Sequence, residues 1–284
     1  MSNGEEVNNL NVDDSAELPD VLEDIDEREA LSFIIPEIDY ETQMIAISSA
    51  LQQMEKAKDR TAKRIYALEE RIRNSRGWQS ERAEMEWMDR VHDYTYQDAA
   101  YSMTAVGMLA PFTESLFHQA FLGIRAQLQP DPIPFADHTR WQQPSEYQWD
   151  CHYFRKDGRR HKQLEAGIRQ LSEATGMHVY LPAELDSYLE ALFIYRNKMF
   201  HCGFEWPINE RQRFSKTLEG KNWPDEWFSS ATSGGEPWIF YLTKNFTNGF
   251  YDVLEEVFAG MGKFCIEVLI PMIRARRQES DSIE

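Results

Sequence analysis

The chain has 284 residues, 42% of them apolar, with 48 acidic against 30 basic side chains and a formal net charge of −18. That is enough apolar material for one sizeable core or two small ones, and too much negative charge for a protein that coats nucleic acid nonspecifically. Three scattered cysteines (Cys151, Cys202, Cys265) without a CxxC spacing exclude a disulfide framework and a structural zinc site, and they suit a reducing, cytoplasmic setting.

Residues 1–29 hold eleven Asp or Glu against Arg28 alone and account for −10 of the net charge. So charged a segment, poor in aromatics, cannot bury enough surface to offset its ordering entropy, which predicts a disordered acidic tail through residue 30. Such a tail serves as a solubilising leader or as an electrostatic mimic of nucleic acid. Polar and acidic residues follow Met1, so no secretory leader is expected. The best apolar run, 264–273, contains Glu267 and Pro271 and falls short of a membrane span.

From 40 to 75 apolar residues recur at helical spacing (Met44, Ile47, Leu51, Met54, Ile65, Leu68, Ile72) among many charges, with Gly77 as the stop. A second long helix is predicted over 80–128, with Pro111 as a kink or restart. Residues 129–160 contain four prolines and no sustained period, an irregular insertion long enough to hint at a binding or active-site role. A short helix follows over 161–175, ended by Gly176. The segment 182–203 carries a well-formed helix signal, with Pro182 in the first turn and Gly203 past the end. Residues 227–243 read as a β-hairpin around Ser233-Gly234-Gly235, and a last long helix runs from about 248 to 277. The expected fold is all-α: an antiparallel helical bundle with long helices and one small hairpin insertion. It forms a single domain over 31–278, with a flexible tail at 279–284.

On the 182–203 helix, Leu185, Leu189, Leu192, Met199 and Phe200 fall within about 60° of one direction, and Arg196 falls at their centre. A buried guanidinium requires a partner, and Glu114 at the edge of the apolar stripe of the 80–128 helix supplies one. Such a pair specifies packing or serves chemistry. His201 lies roughly 140° from Arg196, in the last turn, where the helix dipole favours a protonated ring, and Asn197 is placed one turn earlier to orient it. An imidazole that moves protons beside a fixed positive charge suits phosphodiester chemistry; a solvated histidine at a helix end is the plainer alternative. Arg155 and His161 repeat the spacing, but in a glycine-containing loop. Cys151-His152 with His161 lacks a second pair at ligand spacing, so no metal is expected.

In this setting 196-RNKMFH-201 resembles the signature of HEPN domains (higher eukaryotes and prokaryotes nucleotide-binding). That signature is an arginine, four to six residues and a histidine, commonly with Asn, Asp or His directly after the arginine. The resemblance covers about 40–277 in architecture and is specific at the motif. It implies a bundle of four or five helices with the motif on a late helix, and a metal-independent endoribonuclease without cofactors. It also implies a homodimer whose two motifs face a shared cleft. His201 would be the general acid/base, Arg196 the transition-state stabiliser and Asn197 the orienting amide. Family members are common in toxin–antitoxin and antiviral defence systems, so an antitoxin or regulatory protein is an implied partner. Some members have lost activity and only bind protein or RNA, which is the alternative function. The best local supply of cations for RNA is Arg155, Lys156, Arg159 and Arg160, beside Trp141, Tyr147, Trp149, Tyr153 and Phe154. No GxSxG elbow, HExxH pair or Rossmann fingerprint occurs, and 260-GMGK-263 lacks the first glycine and the Ser/Thr of a phosphate loop.

Overall fold

The computed structural model describes residues 25–128, 137–145, 147–154, 159–161 and 164–281. The predicted acidic tail up to residue 24, and Arg155 and Lys156, lie outside them. In chain order the helices are α1 (Glu27–Leu31), α2 (Tyr40–Asn74), α3 (Trp78–Leu128), α4 (Leu164–Thr175), α5 (Leu185–Cys202), α6 (Ile208–Gly220), α7 (Lys244–Phe264) and α8 (Ile270–Asp281). Two-residue strands β1 (Tyr153–Phe154) and β2 (Arg160–His161) pair antiparallel within the irregular insertion. A longer hairpin, β3 (Phe228–Ser233) and β4 (Glu236–Leu242), separates α6 from α7. The fold is mostly helical with a small β-hairpin, as the sequence predicts.

α2 and α3 turn at Gly77, whose φ of 62° is the left-handed backbone that glycine adopts without strain. Their 35 and 51 residues span about 52 and 76 Å at the helical rise. Only the C-terminal part of α3 enters the core; toward the turn the pair becomes an arm held by Leu68 and Ala83, with Tyr66, Trp78, Met85 and Met88 more than half exposed. Pro111 lies inside α3 without ending it. At the root of the arm Lys58 of α2 meets the buried Asp98 of α3 at 2.5 Å, with its ammonium 4.7 Å from the Tyr101 ring.

The first departure from the sequence reading is α1. Residues 27–30, assigned to the acidic tail, form with Leu31 a helix capped by Asp26, whose carboxylate accepts from the N–H groups of Arg28 and Glu29. Ala30, Leu31, Ile34 and Ile35 are buried. Local charge density is outweighed here by four apolar side chains and by glycines that let backbones touch. A Cβ on Gly262 of α7 would sit 1.8 Å from the Glu27 carbonyl oxygen, and one on Gly123 of α3 1.9 Å from that of Ile34. At the other end α8 carries helix to Asp281, past the boundary drawn at 278.

The final helical stripe is predicted as Phe250, Leu254, Val257, Met261, Cys265 and Val268. All but the last are buried, and Leu269 takes the place of Val268. A π-turn over Cys265–Leu269 adds one residue to the helical register just ahead of Pro271. Proline lacks an N–H and its ring crowds the carbonyl four residues back, so a wider turn there relieves the clash and rotates the stripe.

Between α5 and the hairpin lies a nest of rings. Trp206 is 1% exposed and packs against Tyr195, Phe214 and Phe240 with centroids 5.8, 5.0 and 5.5 Å apart. The hairpin is pinned to α3 by the Leu242 N–H, which donates to the Ser102 hydroxyl at 2.8 Å. Among the described residues no helix is long and apolar enough to cross a membrane, and no cluster of three or more His, Cys, Asp or Glu is arranged to hold a metal ion.

Candidate active site at the C-terminal end of α5

α5 buries Leu185, Tyr188, Leu189, Ala191, Leu192, Phe193, Tyr195 and Met199. Tyr188, Ala191 and Tyr195 were not counted in the stripe centred on Arg196. Including them turns the buried direction by roughly 35°, placing Arg196 on its flank and Phe200 outside it. Leu192 lies nearest the centre instead, and Tyr195 on the other flank is fully buried and donates its hydroxyl to the Phe240 carbonyl at 2.9 Å. Phe200, assigned to the buried stripe, is 57% exposed.

Arg196 is therefore partly exposed and has no need of a buried carboxylate. Its guanidinium donates to the Asn197 side-chain oxygen at 3.2 Å and lies 5.6 Å from the centroid of the Phe200 ring. That ring leans on α3 at Gly107, where a Cβ would meet it at 3.5 Å. The expected Arg196–Glu114 pair does not form. Glu114 lines a different cleft, with His118, Arg125 and Asp150.

Asn197 is exposed and its oxygen faces Arg196, so the amide orients the guanidinium; no hydrogen bond joins it to His201 among the described residues. His201 is exposed in the final turn of α5. Gly203 closes that turn with φ 71°, its N–H donating to the Met199 carbonyl at 2.9 Å. The Trp206 indole N–H donates to the Gly203 carbonyl at 2.8 Å, anchoring the helix end in the ring nest. Lys198 pairs with Glu210, tying α5 to α6.

A shelf of partly exposed rings adjoins this helix end. His92 lies 4.9 Å from Tyr96 and 5.6 Å from Trp238, and Tyr96 lies 6.4 Å from Phe204. Glu205 joins two of them, accepting from the Tyr96 hydroxyl and, at 3.1 Å, from the Trp238 indole N–H. Those two bonds, the Tyr96 one first, hold its carboxyl below the usual glutamate range. Sequence reasoning missed this shelf. The spacing of Arg196 and Phe200 at i and i+4 was a usable local signal, whereas nothing local links Tyr96 to Trp238.

Of the four cations proposed for RNA, Arg159 is exposed and Arg160 lies in β2 opposite Phe154. Chemically, the α5 terminus offers an accessible imidazole, a partly accessible guanidinium with a fixed orientation, and rings able to stack on bases. No family model, curated protein or solved structure matches the chain.

Proposed function

We propose that the chain is a metal-independent endoribonuclease of the HEPN type acting on single-stranded or loop RNA. The observation carrying this reading is that Arg196 and His201 both reach solvent from one capped helix end. In the reaction His201 accepts the proton of a ribose 2′-hydroxyl, whose oxygen attacks the adjacent phosphorus. Arg196 stabilises the negative charge that builds on the phosphorane. The bond to the 5′-oxygen breaks, an imidazolium protonates that leaving group, and the products are a 2′,3′-cyclic phosphate and a 5′-hydroxyl. The rings of the shelf suit unpaired bases, which a duplex would not offer. The same reading places the protein in the cytoplasm as a homodimer, acting as a toxin or anti-phage effector under an antitoxin or regulatory partner.

The test is cleavage of varied single-stranded RNAs in buffer containing EDTA. His201→Ala and Arg196→Ala are each expected to abolish cleavage while leaving the unfolding midpoint within a few degrees of wild type. Activity insensitive to both substitutions, or background cleavage by the wild type on every substrate, rejects the reading. A second reading, a non-enzymatic binding module, is favoured by the α2–α3 arm, whose exposed Tyr66, Trp78, Met85 and Met88 offer an apolar face to a protein partner. A stable complex lost on Trp78→Ala, alongside background cleavage, selects it.

A further inference from the structure

Along the first half of α3, Trp78, Met85, Met88, His92 and Tyr96 fall within about 80° of one direction. The opposite side of the helix is taken up by α2. There Ala83 is buried, the Trp87 indole N–H donates to Glu69 at 3.2 Å, and Asp98 pairs with Lys58. Trp78, Met85 and Met88 thus point away from the partner helix and stand more than half exposed. The apolar track does not stop at the arm. His92 and Tyr96 carry it onto Trp238 of the hairpin, at ring distances of 5.6 and 5.7 Å. From Trp78 to Tyr96 it runs about 27 Å along one unbroken helix.

Two methionines and a tryptophan grouped in water add nothing to the fold, and such a patch marks a contact surface. Its charged neighbours set the sign of the partner. Between Trp78 and Tyr96 stand five carboxylates (Glu81, Glu84, Glu86, Asp89, Asp93) against Arg82 and Arg90, and Arg90 is drawn to Asp93 at 3.6 Å. Glu81 and Asp89 stand one turn either side of Met85 and make no ion pair or hydrogen bond among the described residues. At the far end Glu205 adds a further carboxylate, bonded to Tyr96 and Trp238. So acidic a rim repels the phosphates of a nucleic acid, and it repels the same rim on a second copy. The backbone of α3 is paired within the helix, so an extended peptide finds no strand edge there to add to.

We propose that this track binds a basic amphipathic helix of about five turns from a separate protein. The apolar stripe of that helix packs on Trp78, Met85 and Met88, and its lysines and arginines face Glu81, Asp89 and Glu205. The length follows from the 27 Å of the track at about 5.4 Å per turn. Ridges of the incoming helix seat between those of α3, and the unbranched methionines adapt to the apolar side chains that arrive. The acidic rim speeds the encounter and selects basic helices over acidic ones. The inference rests on the binding-module reading for its surface and adds the charge, conformation and length of the partner; it does not depend on RNA cleavage.

Fluorescence anisotropy tests the assignment, with the full chain titrated into a labelled Leu/Lys peptide of about 18 residues whose leucines follow the helical period. The controls are a peptide of the same composition with Leu and Lys alternating, and a helical Leu/Glu peptide. The helical Leu/Lys peptide is expected to bind about tenfold or more tighter than either control, and Met88→Ser or Trp78→Ala to weaken it about tenfold or more. Glu81→Gln/Asp89→Asn weakens it and flattens its salt dependence, whereas Glu256→Gln on α7 leaves it unchanged. All these positions are exposed, so the variants are expected to melt like wild type. Absence of saturable binding overturns the proposal, as does equal binding of the alternating or the Leu/Glu peptide. Binding lost on Trp78→Ala but indifferent to Glu81→Gln/Asp89→Asn keeps a protein-binding surface and overturns the basic helix. Self-association that Met88→Ser abolishes in sedimentation gives the track to a second copy and overturns it too.

Discussion

Trp206→Phe isolates the contact that anchors the end of α5. The substitution keeps an aromatic ring among Tyr195, Phe214 and Phe240, but it removes the N–H that Gly203 accepts at 2.8 Å. Losing a donor to a half-buried carbonyl costs about 1 kcal/mol, at the low end because water reaches that oxygen in part. The smaller ring forfeits about 40 Å² of buried apolar surface, or about 1 kcal/mol more. The sum, about 2 kcal/mol, is a sizeable share of a domain stability of about 5–15 kcal/mol, and Trp206→Ala is expected to cost about 3–5 kcal/mol. Urea unfolding followed by tryptophan-independent circular dichroism measures both. Because the released carbonyl lies two residues after His201, cleavage by Trp206→Phe is expected to fall about tenfold at temperatures where the protein is still folded. A Trp206→Phe chain within 0.5 kcal/mol of wild type would refute the clamp.

Gly262→Ala forces a methyl to 1.8 Å from the Glu27 carbonyl oxygen, and neither backbone yields without moving α1. A loss of about 1–3 kcal/mol is expected, with faster amide exchange over residues 27–35 than elsewhere; unchanged exchange there contradicts the docking. For the Lys58–Asp98 pair, whose side chains are 17% and 7% exposed, either single hydrophobic replacement is expected to cost about 3–5 kcal/mol and the double Lys58→Met/Asp98→Leu close to nothing. Burial holds the Asp98 carboxyl above the usual aspartate range, with Lys58 opposing. The folded chain thus binds that proton more tightly than the unfolded one, so this group's contribution is greatest below the unfolded pKa and declines as pH rises through the raised folded value. A stability–pH profile that keeps the same decline in Asp98→Asn disproves the assignment.

Helices with a broad apolar stripe were legible in the sequence: α2, the buried half of α3, and α7 all carry the period that decides burial. α6 was not, because Phe214 is its sole buried residue and a helix held by one ring leaves no periodic trace. α1 was hidden by charge, since the glycines that receive it lie far along the chain. At the helix end that the motif marks, the neighbours read from the sequence differ from those in the structure. The α5 stripe drawn through Leu185, Leu189, Leu192, Met199 and Phe200 leaves out Tyr188 and Tyr195, whose rings pack on aromatics that arrive from α6, β3, α7 and the turn at Trp227. Long-range aromatic partners decide which face of a helix is inside, and a single helix does not reveal them.

Arg196 and His201 raise a geometric problem that points to its own experiment. Five residues apart on one helix, they diverge by roughly 140° and are offset by about 7.5 Å along the axis. The Asn197 oxygen and the Phe200 ring fix the guanidinium's orientation on the arc between the two. One phosphate cannot bridge two groups that point apart, so on the proposed dimer each reaction centre takes its arginine from one subunit and its histidine from the other. Arg196→Ala and His201→Ala chains, each inactive alone, then complement on mixing after unfolding and refolding together. Random pairing makes about half the dimers mixed, each with one complete centre of two, so about a quarter of wild-type activity is expected. Recovery to that level with the mixture, and none with either chain refolded alone, places the two groups on different subunits. A mixture that stays inactive while wild-type refolding succeeds puts both groups on one chain and requires the last turn of α5 to unwind when RNA binds.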